Sequence, residues 1–177
     1  MIPALDSAIR KVLEETETIK ASGSILAVCR NEQDGRSKNF TSWVRYVRGA
    51  GIEEGENLPP HDLTYLAPDA GEVAVLAWEN IAPLIARDSG FDFGRCGENL
   101  FVTSGNFSRL QPGDLLYVGM ALLVVTQVGK NCDRTCGLFN GTDEACPLAT
   151  SWIFANVLKG GRVCVDDPVI VTPALPE

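Results

Sequence analysis

The sequence predicts a mainly β, barrel-like domain with a few peripheral helices. After Gly90 the chain consists of short apolar runs separated by glycine turns, and many short strands with few helices are typical of a barrel-like sheet. The clearest strand pair is a hairpin of residues 114–118 and 121–128, because two apolar runs flank a two-residue turn that contains Gly119.

The first half of the chain supplies further strands and helices of this domain. Residues 24–30 and 73–77 are apolar runs typical of buried strands, and residues 43–47 form a shorter strand-like run that ends at a Gly-Ala-Gly sequence. Residues 78–86 follow with helical spacing, and Pro83 is compatible with a helix only in its first turn.

An N-terminal amphipathic helix is predicted over residues 5–19. Apolar residues recur there at helical spacing, while Glu14 and Glu15 fall on the polar side. The apolar positions are Leu5, Ile9, Val12 and Leu13. We therefore divide the chain into an extension, residues 1–22, and a barrel domain, residues 23–173.

Two segments are harder to assign from their pattern. Residues 152–158, followed by Lys159 and two glycines, fit either a helix end or a strand with a turn, and residues 163–171 fit a last strand interrupted at Pro168. Residues 55–69 contain three prolines and the single histidine, His61. This composition predicts a long loop, and long loops inside compact domains are often functional.

Composition narrows the function classes. With 177 residues, 45% of them hydrophobic, the chain is long enough for one sizeable core. Its formal net charge of -8 argues against a nucleic-acid partner, which would require a basic surface. We found no signal-peptide pattern and no apolar run long enough to span a bilayer, so we expect a cytoplasmic protein with no membrane partner. Six cysteines in such a compartment are expected to be reduced.

The segment with the most chemical potential is residues 124–136, where an apolar strand enters a loop with two thiols and two cations. Lys130 and Arg134 flank Cys132, and Cys136 follows. Positive charges favour a thiolate, which is both a nucleophile and a metal ligand. Asp133 opposes this effect, because a neighbouring carboxylate disfavours a second negative charge.

Several motifs occur in an order that resembles the MOSC family, named for the C-terminal domain of molybdenum cofactor sulfurases. The motifs are Gly97-Glu98-Asn99-Leu100, Pro112-Gly113-Asp114, the strand ending in Thr126-Gln127, and Gly129-Lys130-Asn131-Cys132. Residues 154–163, followed by Asp166-Asp167-Pro168-Val169, resemble the closing helix-turn-strand of the family. The resemblance is strongest over residues 91–171 and implies a MOSC-type β-barrel.

The resemblance also implies a function and a set of site residues. It assigns the functional thiol to Cys132, as a sulfur carrier or as a molybdenum ligand, with Cys136 as an alternative. It places Glu98, Asn99 and His61 at a cofactor pocket. We interpret Lys130 and Arg134 as groups that can bind the phosphate of a pterin. The implied cofactor is the molybdenum cofactor, and the implied partner is a pyridoxal-phosphate-dependent cysteine desulfurase or an electron-transfer protein.

Three functions remain open from the sequence. The first is a domain that binds molybdenum cofactor or carries sulfur. The second is a small molybdenum-dependent oxidoreductase that reduces N-hydroxylated compounds. The third is a non-catalytic barrel with structural or zinc-binding cysteines, for which Cys132, Cys136, Cys146 and His61 are the available ligands. Cys29 and Cys164 lie in apolar strands and are expected to be buried structural residues.

Overall fold

The computed structural model describes residues 19–30, 39–41, 43–47, 51–53, 72–85, 93–94, 96–103, 107–131 and 147–174. Its strands are β1 (Ala21–Arg30), β2 (Asn39–Thr41), β3 (Trp43–Val47), β4 (Gly51–Glu53), β5 (Glu72–Ala77), β6 (Leu100–Val102), β7 (Leu115–Val118), β8 (Ala121–Val128), β9 (Ile153–Lys159), β10 (Gly161–Cys164) and β11 (Pro168–Thr172). One α-helix, α1 (Trp78–Ile85), and 3-10 helices at Phe107–Arg109 and Pro147–Thr150 complete these described residues.

Within the described residues, seven strands close into a barrel. The order is β11-β7-β8-β9-β5-β6-β1, and β1 returns to β11 through the pairs Ala21 with Val171 to Ser24 with Pro168. Neighbours are antiparallel except β5 and β6, which run parallel because α1 and the following residues connect them. The second half of β1 also pairs with β2, and β10, β3 and β4 form a separate small sheet. The predicted mainly β, barrel-like fold is confirmed.

The barrel strands bury residues on both of their faces. The interior cluster takes alternate residues such as Val73, Leu100 and Ile153, and Phe107 and Leu110 join it. An outer cluster covers the opposite face of β1, β5, β6 and β9, where Ile81 of α1 packs against it. The other members of this outer cluster are Ala27, Cys29, Ala74, Leu76, Cys96, Phe101, Leu148 and Trp152. Because successive side chains of a strand point to opposite faces, such double burial requires a cover on the outside.

Most predicted elements are confirmed. The hairpin is β7 and β8 with the turn Gly119–Met120, and residues 43–47, 73–77 and 78–86 correspond to β3, β5 and α1. The strand predicted to begin at residue 24 begins at Ala21, because the preceding three residues pair with β11 instead of ending a helix. The short strand β4 was not predicted. The helix predicted over residues 5–18 and the loop over 55–69 lie outside the described residues.

The alternative of a helix over residues 152–158 is wrong, and so is the expected closing helix-turn-strand. Residues 153–159 form β9, which pairs with β8 on one side and β5 on the other. Ile153, Ala155 and Val157 are buried while Asn156 and Leu158 are exposed. This alternation is the strand period of two, and the central position of β9 between two neighbours satisfies its backbone donors and acceptors.

The last predicted strand is two strands in two different sheets. β10 pairs with β3, whereas β11 pairs with β7 and β1. The chain turns between them at Asp166, which has a φ of 69°, and the Asp167 carboxylate accepts a hydrogen bond from the Cys164 backbone N–H at 2.7 Å. Pro168 begins β11, a position in a strand where proline is tolerated.

No helix among the described residues is long and apolar enough to cross a membrane.

We expect Gly161→Ala to destabilise the protein by about 1–3 kcal/mol, the usual cost of forcing extra volume into a packed site. A methyl group at Gly161 would meet the backbone carbonyl of Met120, and neither backbone can move without breaking a strand end. Urea unfolding measures this effect. Gly160→Ala is the matched control, because Gly160 is exposed on the same turn. Equal stability of the two variants would contradict the steric argument.

Alkaline pH should destabilise the barrel through Tyr117. Burial raises the pKa of its phenol above 10.0, more than the Thr172 hydroxyl lowers it. The folded state therefore holds this proton more tightly than the unfolded chain, so the stabilisation is present below pH 10 and is lost as pH rises through the folded pKa. Unfolding free energies between pH 9 and 11, as flagged by that reference value of about 10 for tyrosine, should fall more steeply for the parent than for Tyr117→Phe. Parallel curves would refute this assignment.

Candidate functional site

Asn99 joins three strands at the start of β6. Its backbone N–H donates to the Ala74 carbonyl at 2.7 Å, and its Oδ1 accepts from the Ala74 N–H at 2.9 Å. Its own carbonyl accepts from the Cys29 N–H at 2.8 Å. A short side-chain amide can therefore replace a ladder pair where the strand is beginning. These contacts give Asn99 a structural role beside β1 and β5.

Glu98 lies fully buried in the loop before Asn99. Its Oε1 accepts a hydrogen bond from the Gly94 N–H at 2.7 Å, and the Gly97 N–H donates to the Gly94 carbonyl at 2.9 Å. Gly94 and Gly97 have φ values of 87° and 92°, which only glycine adopts readily. The Gly97-Glu98-Asn99 sequence is therefore a compact turn that the Glu98 carboxylate and Asn99 fasten to the barrel.

The backbone of Gly129 and Lys130 fastens the end of β8. The Gly129 N–H donates to the Trp152 carbonyl and the Lys130 N–H donates to the Ala149 carbonyl, both at 2.7 Å. Gly129 has a φ of 78°, and a methyl group there would stand 3.0 Å from the Ala149 oxygen. The Gln127 amide also donates to the Gly129 carbonyl at 2.6 Å. This turn leads directly into the predicted thiol loop.

The Lys130 side chain is held by an aromatic pair. Its Nζ lies 3.9 Å from the centroid of the Trp152 ring, and Trp152 stacks on Phe154 with centroids 5.6 Å apart and planes 15° apart. Trp152 is buried in the outer cluster. An ammonium over an indole face is worth about 0.5–2 kcal/mol, more where water is excluded. The cation therefore has a defined position at the base of the loop.

A register shift in β8 prepares this turn. Val125 pairs with Ala155 and Gln127 with Phe154, so Thr126 is an extra residue in the ladder. The Thr126 hydroxyl donates to the Phe154 carbonyl at 3.1 Å and lies 3.0 Å from the Glu72 carboxylate. A bulge of this kind bends a strand and re-aims the residues after it. Here those residues are Gln127 to Lys130.

The structure places the two described halves of the predicted site on the same region of the barrel but on different strands. Leu100, Val75, Ile153 and Val128 are successive partners across β6, β5, β9 and β8. Asn99 and Lys130 flank the two ends of this row, which spans about 14 Å at roughly 4.8 Å per strand spacing. Both border the outer cluster, so Glu98, Asn99 and Lys130 surround shared packing.

Cys132, Arg134, Cys136 and His61 lie outside the described residues, as does Cys146. The described stems of the loop that carries three of these cysteines are nevertheless informative. The chain leaves at Asn131 and returns at Pro147, and the hydrogen bond from Lys130 to Ala149 joins these two ends. Residues 132–146 therefore start and finish at one place beside Trp152.

The described cysteines differ in their surroundings. Cys29 is fully buried in β1, as predicted for a structural residue, and Cys96 is buried in the outer cluster. Cys164 is partly exposed, because β10 lies outside the barrel, which corrects the expectation of full burial. Desolvation raises the pKa of the Cys164 thiol, the Asp167 carboxylate raises it further, and Arg162 opposes both. Cys164 is thus a poor source of thiolate.

The sequence did not indicate Trp152 and Phe154 as part of the site. Their signal was the alternation Trp-Ile-Phe, which on a strand places both aromatic rings on one face. It was missed because the same segment also fitted a helix end. No group of three His, Cys, Asp or Glu side chains that could hold a metal ion occurs among the described residues.

Solved structures share this architecture. YiiM from Geobacillus stearothermophilus has a TM-score of 0.57 and 17% sequence identity, with 84% of this chain and 73% of that chain covered. YiiM from Escherichia coli has a TM-score of 0.57 and 16% identity, covering 88% and 72%. Both YiiM proteins are MOSC-domain proteins. The chain has the MOSC fold.

A further structure of this MOSC type of barrel extends the likeness over a whole neighbour. The YuaD protein from Bacillus subtilis has a TM-score of 0.61 and 11% identity, with 89% of this chain and 100% of that chain covered. No protein-family model and no curated protein matches the sequence. At these identities the shared property is the MOSC fold itself.

We expect Asn99→Ala to destabilise the MOSC barrel by about 1–3 kcal/mol, the cost of leaving a buried N–H unsatisfied. The unsatisfied donor would be the Ala74 N–H, which Asn99 Oδ1 accepts in the parent. Thermal and urea unfolding measure this loss. Asn156→Ala is the control, because Asn156 is an exposed asparagine on the neighbouring strand β9. A stability loss that is as large in the control would contradict the proposed role.

Proposed function

We propose that this MOSC-fold protein binds molybdenum cofactor or carries sulfur through the thiol of Cys132. The observation that carries the proposal is the anchored turn at the end of β8. Two backbone hydrogen bonds and the Lys130–Trp152 contact fix the residue two positions before Cys132. A functional thiol on a loop gains precision when the loop starts from a rigid scaffold.

The chemistry of the available donors fits such a ligand. Soft thiolates suit molybdenum and sulfur-rich centres, and Cys132 and Cys136 supply two of them within one loop. The Lys130 ammonium has the charge to bind an anionic phosphate as a point charge, and Arg134 is the second cation of the loop. The bound cofactor would supply a redox-active metal with transferable sulfur or oxygen.

The described cofactor-binding candidates fall into two kinds. Lys130 carries a charge at the loop base, whereas the Asn99 Oδ1 and Glu98 Oε1 atoms accept from backbone N–H groups of Ala74 and Gly94. We assign Lys130 to ligand contact. We assign Glu98 and Asn99 to holding the β6 turn beside the pocket, with any ligand contact made through their remaining polar atoms.

The proposal includes a partner. Sulfur would reach Cys132 from a pyridoxal-phosphate-dependent cysteine desulfurase, since a persulfide forms when a thiolate accepts sulfane sulfur from another persulfide. In the reductase alternative an electron-transfer protein takes that place, and N-hydroxylated compounds are the substrates. The two alternatives differ in whether molybdenum stays bound through purification.

Elemental analysis and mass spectrometry test the proposal on protein expressed in a host that makes molybdenum cofactor. We expect molybdenum or a persulfide on the parent protein. Cys132→Ala should reduce retention by at least the roughly tenfold that loss of a supporting contact costs at metal sites. Stoichiometric molybdenum with turnover of an N-hydroxylated substrate would select the reductase.

The matched control is Cys164→Ala, which removes a partly exposed thiol with a raised pKa on β10. It should retain molybdenum or persulfide like the parent. Loss in Cys136→Ala but not in Cys132→Ala would move the function to Cys136. Full retention in both variants would refute the proposal, and stoichiometric zinc with unreactive thiols would support a structural barrel instead.

A further inference from the structure

A second apolar surface covers the outside of the barrel on the side formed by β7, β8 and β11. Its residues alternate with those of the interior cluster, so their side chains point outward. Ile170 pairs with Tyr117 and Tyr117 with Leu122, which makes a continuous row across the three strands. We name this surface the β7 face, and its members are Leu115, Tyr117, Leu122, Val124, Ile170 and Thr172.

The β7 face is buried although it is on the outside. Thr172 is 0%, Tyr117 2% and Ile170 5% exposed, whereas Asn156 and Thr126, which also point outward on neighbouring strands, are exposed. A tyrosine on an uncovered sheet surface cannot be almost fully shielded by its strand neighbours alone. A further segment of the chain must therefore cover this face.

The described helices do not supply the cover. Ile81 of α1 and Leu148 of the second 3-10 helix belong to the outer cluster on the other side, and Phe107 of the first 3-10 helix belongs to the interior. The stems of the cysteine loop also lie against the outer cluster, at Ala149 and Trp152. These positions direct attention to the segment that precedes β1.

Lys20 marks where that segment joins the barrel. Its N–H donates to the Val171 carbonyl at 2.8 Å, and its Nζ forms an ion pair with Asp114 Oδ1 at 2.6 Å. Val171 lies between Ile170 and Thr172, and Asp114 directly precedes Leu115. The chain therefore enters β1 from the border of the β7 face. The Asp114 carboxylate is almost fully buried and also accepts from the Gln111 N–H at 2.8 Å, so this junction is rigid.

We propose that residues 5–18 form the cover, as an amphipathic helix whose apolar side packs on the β7 face. The apolar positions Leu5, Ile9, Val12 and Leu13 fall on one side of such a helix. Fourteen helical residues extend about 21 Å, enough to cross three strands at roughly 4.8 Å per spacing. The surface is thus an intramolecular docking site for the N-terminal segment, independent of the function proposed for Cys132.

Hydroxyl-radical footprinting of the full chain tests this docking, with the modification rate of Tyr117 as the readout. Ile9→Asp places a charge in the proposed interface, and we expect the Tyr117 rate to rise severalfold. The matched control is Ser7→Asp, which adds the same charge about 200° away around the helix, on its polar side. The control should leave the rate unchanged.

A milder pair of variants covers the case in which Ile9→Asp fails to fold. Val12→Ala and Ile170→Ala should each weaken unfolding resistance, and the double variant should lose less than the sum, because residues in contact are coupled. Additive effects, together with an unchanged Tyr117 rate in folded Ile9→Asp, would overturn the proposal. A Tyr117 rate that rises on dilution of the parent protein would also overturn it, since the cover would then be a second copy.

Discussion

Closure of the sheet depends on β1, which is long enough to bond to different neighbours along its length. Its first residues pair with β11, and its later residues pair with β6 on one side and β2 on the other. Without this strand, β6 and β11 would both present unpaired edges. A closed barrel has no such edges, which removes the template for association through exposed backbone groups. The Lys20–Asp114 ion pair and the Ser24–Thr103 hydroxyl contact at 3.1 Å hold β1 to the ends of β7 and β6.

The two sites of interest are built on this closed frame in the same manner. The turn at Gly97–Asn99 and the turn at Gly129–Lys130 each combine a glycine of positive φ with hydrogen bonds to a neighbouring strand. The interior cluster fixes the strands, the strands fix the turns, and the turns hold the polar side chains. Chemistry that requires defined positions can therefore be placed on loops without losing precision.

Much of the barrel could be predicted from the sequence because its strongest signals are local. The β7–β8 hairpin has alternating apolar runs and a glycine turn, and β5 is a short buried run. β9 could not be assigned, because a central strand and a helix end both accept its composition, and only pairing with β5 and β8 decides between them. The division of residues 161–172 between two sheets was also inaccessible, since it depends on partners distant in sequence. For the site, the Lys130 turn was expected from its charges, whereas its Trp152 contact depends on the same β8–β9 pairing.

The joined stems of the cysteine loop have a consequence for how this protein can change. The Lys130–Ala149 hydrogen bond closes the loop at its base, so the barrel bears on the loop only at Asn131 and Pro147. The entropy of closing a flexible loop grows slowly with its length, by only about 0.6 kcal/mol for each doubling. Insertions or deletions between residues 132 and 146 therefore cost the barrel little. Thiol number, spacing and charge in this segment are free to diverge while the scaffold stays constant, so the fold can acquire new ligand preferences by exchange of one loop.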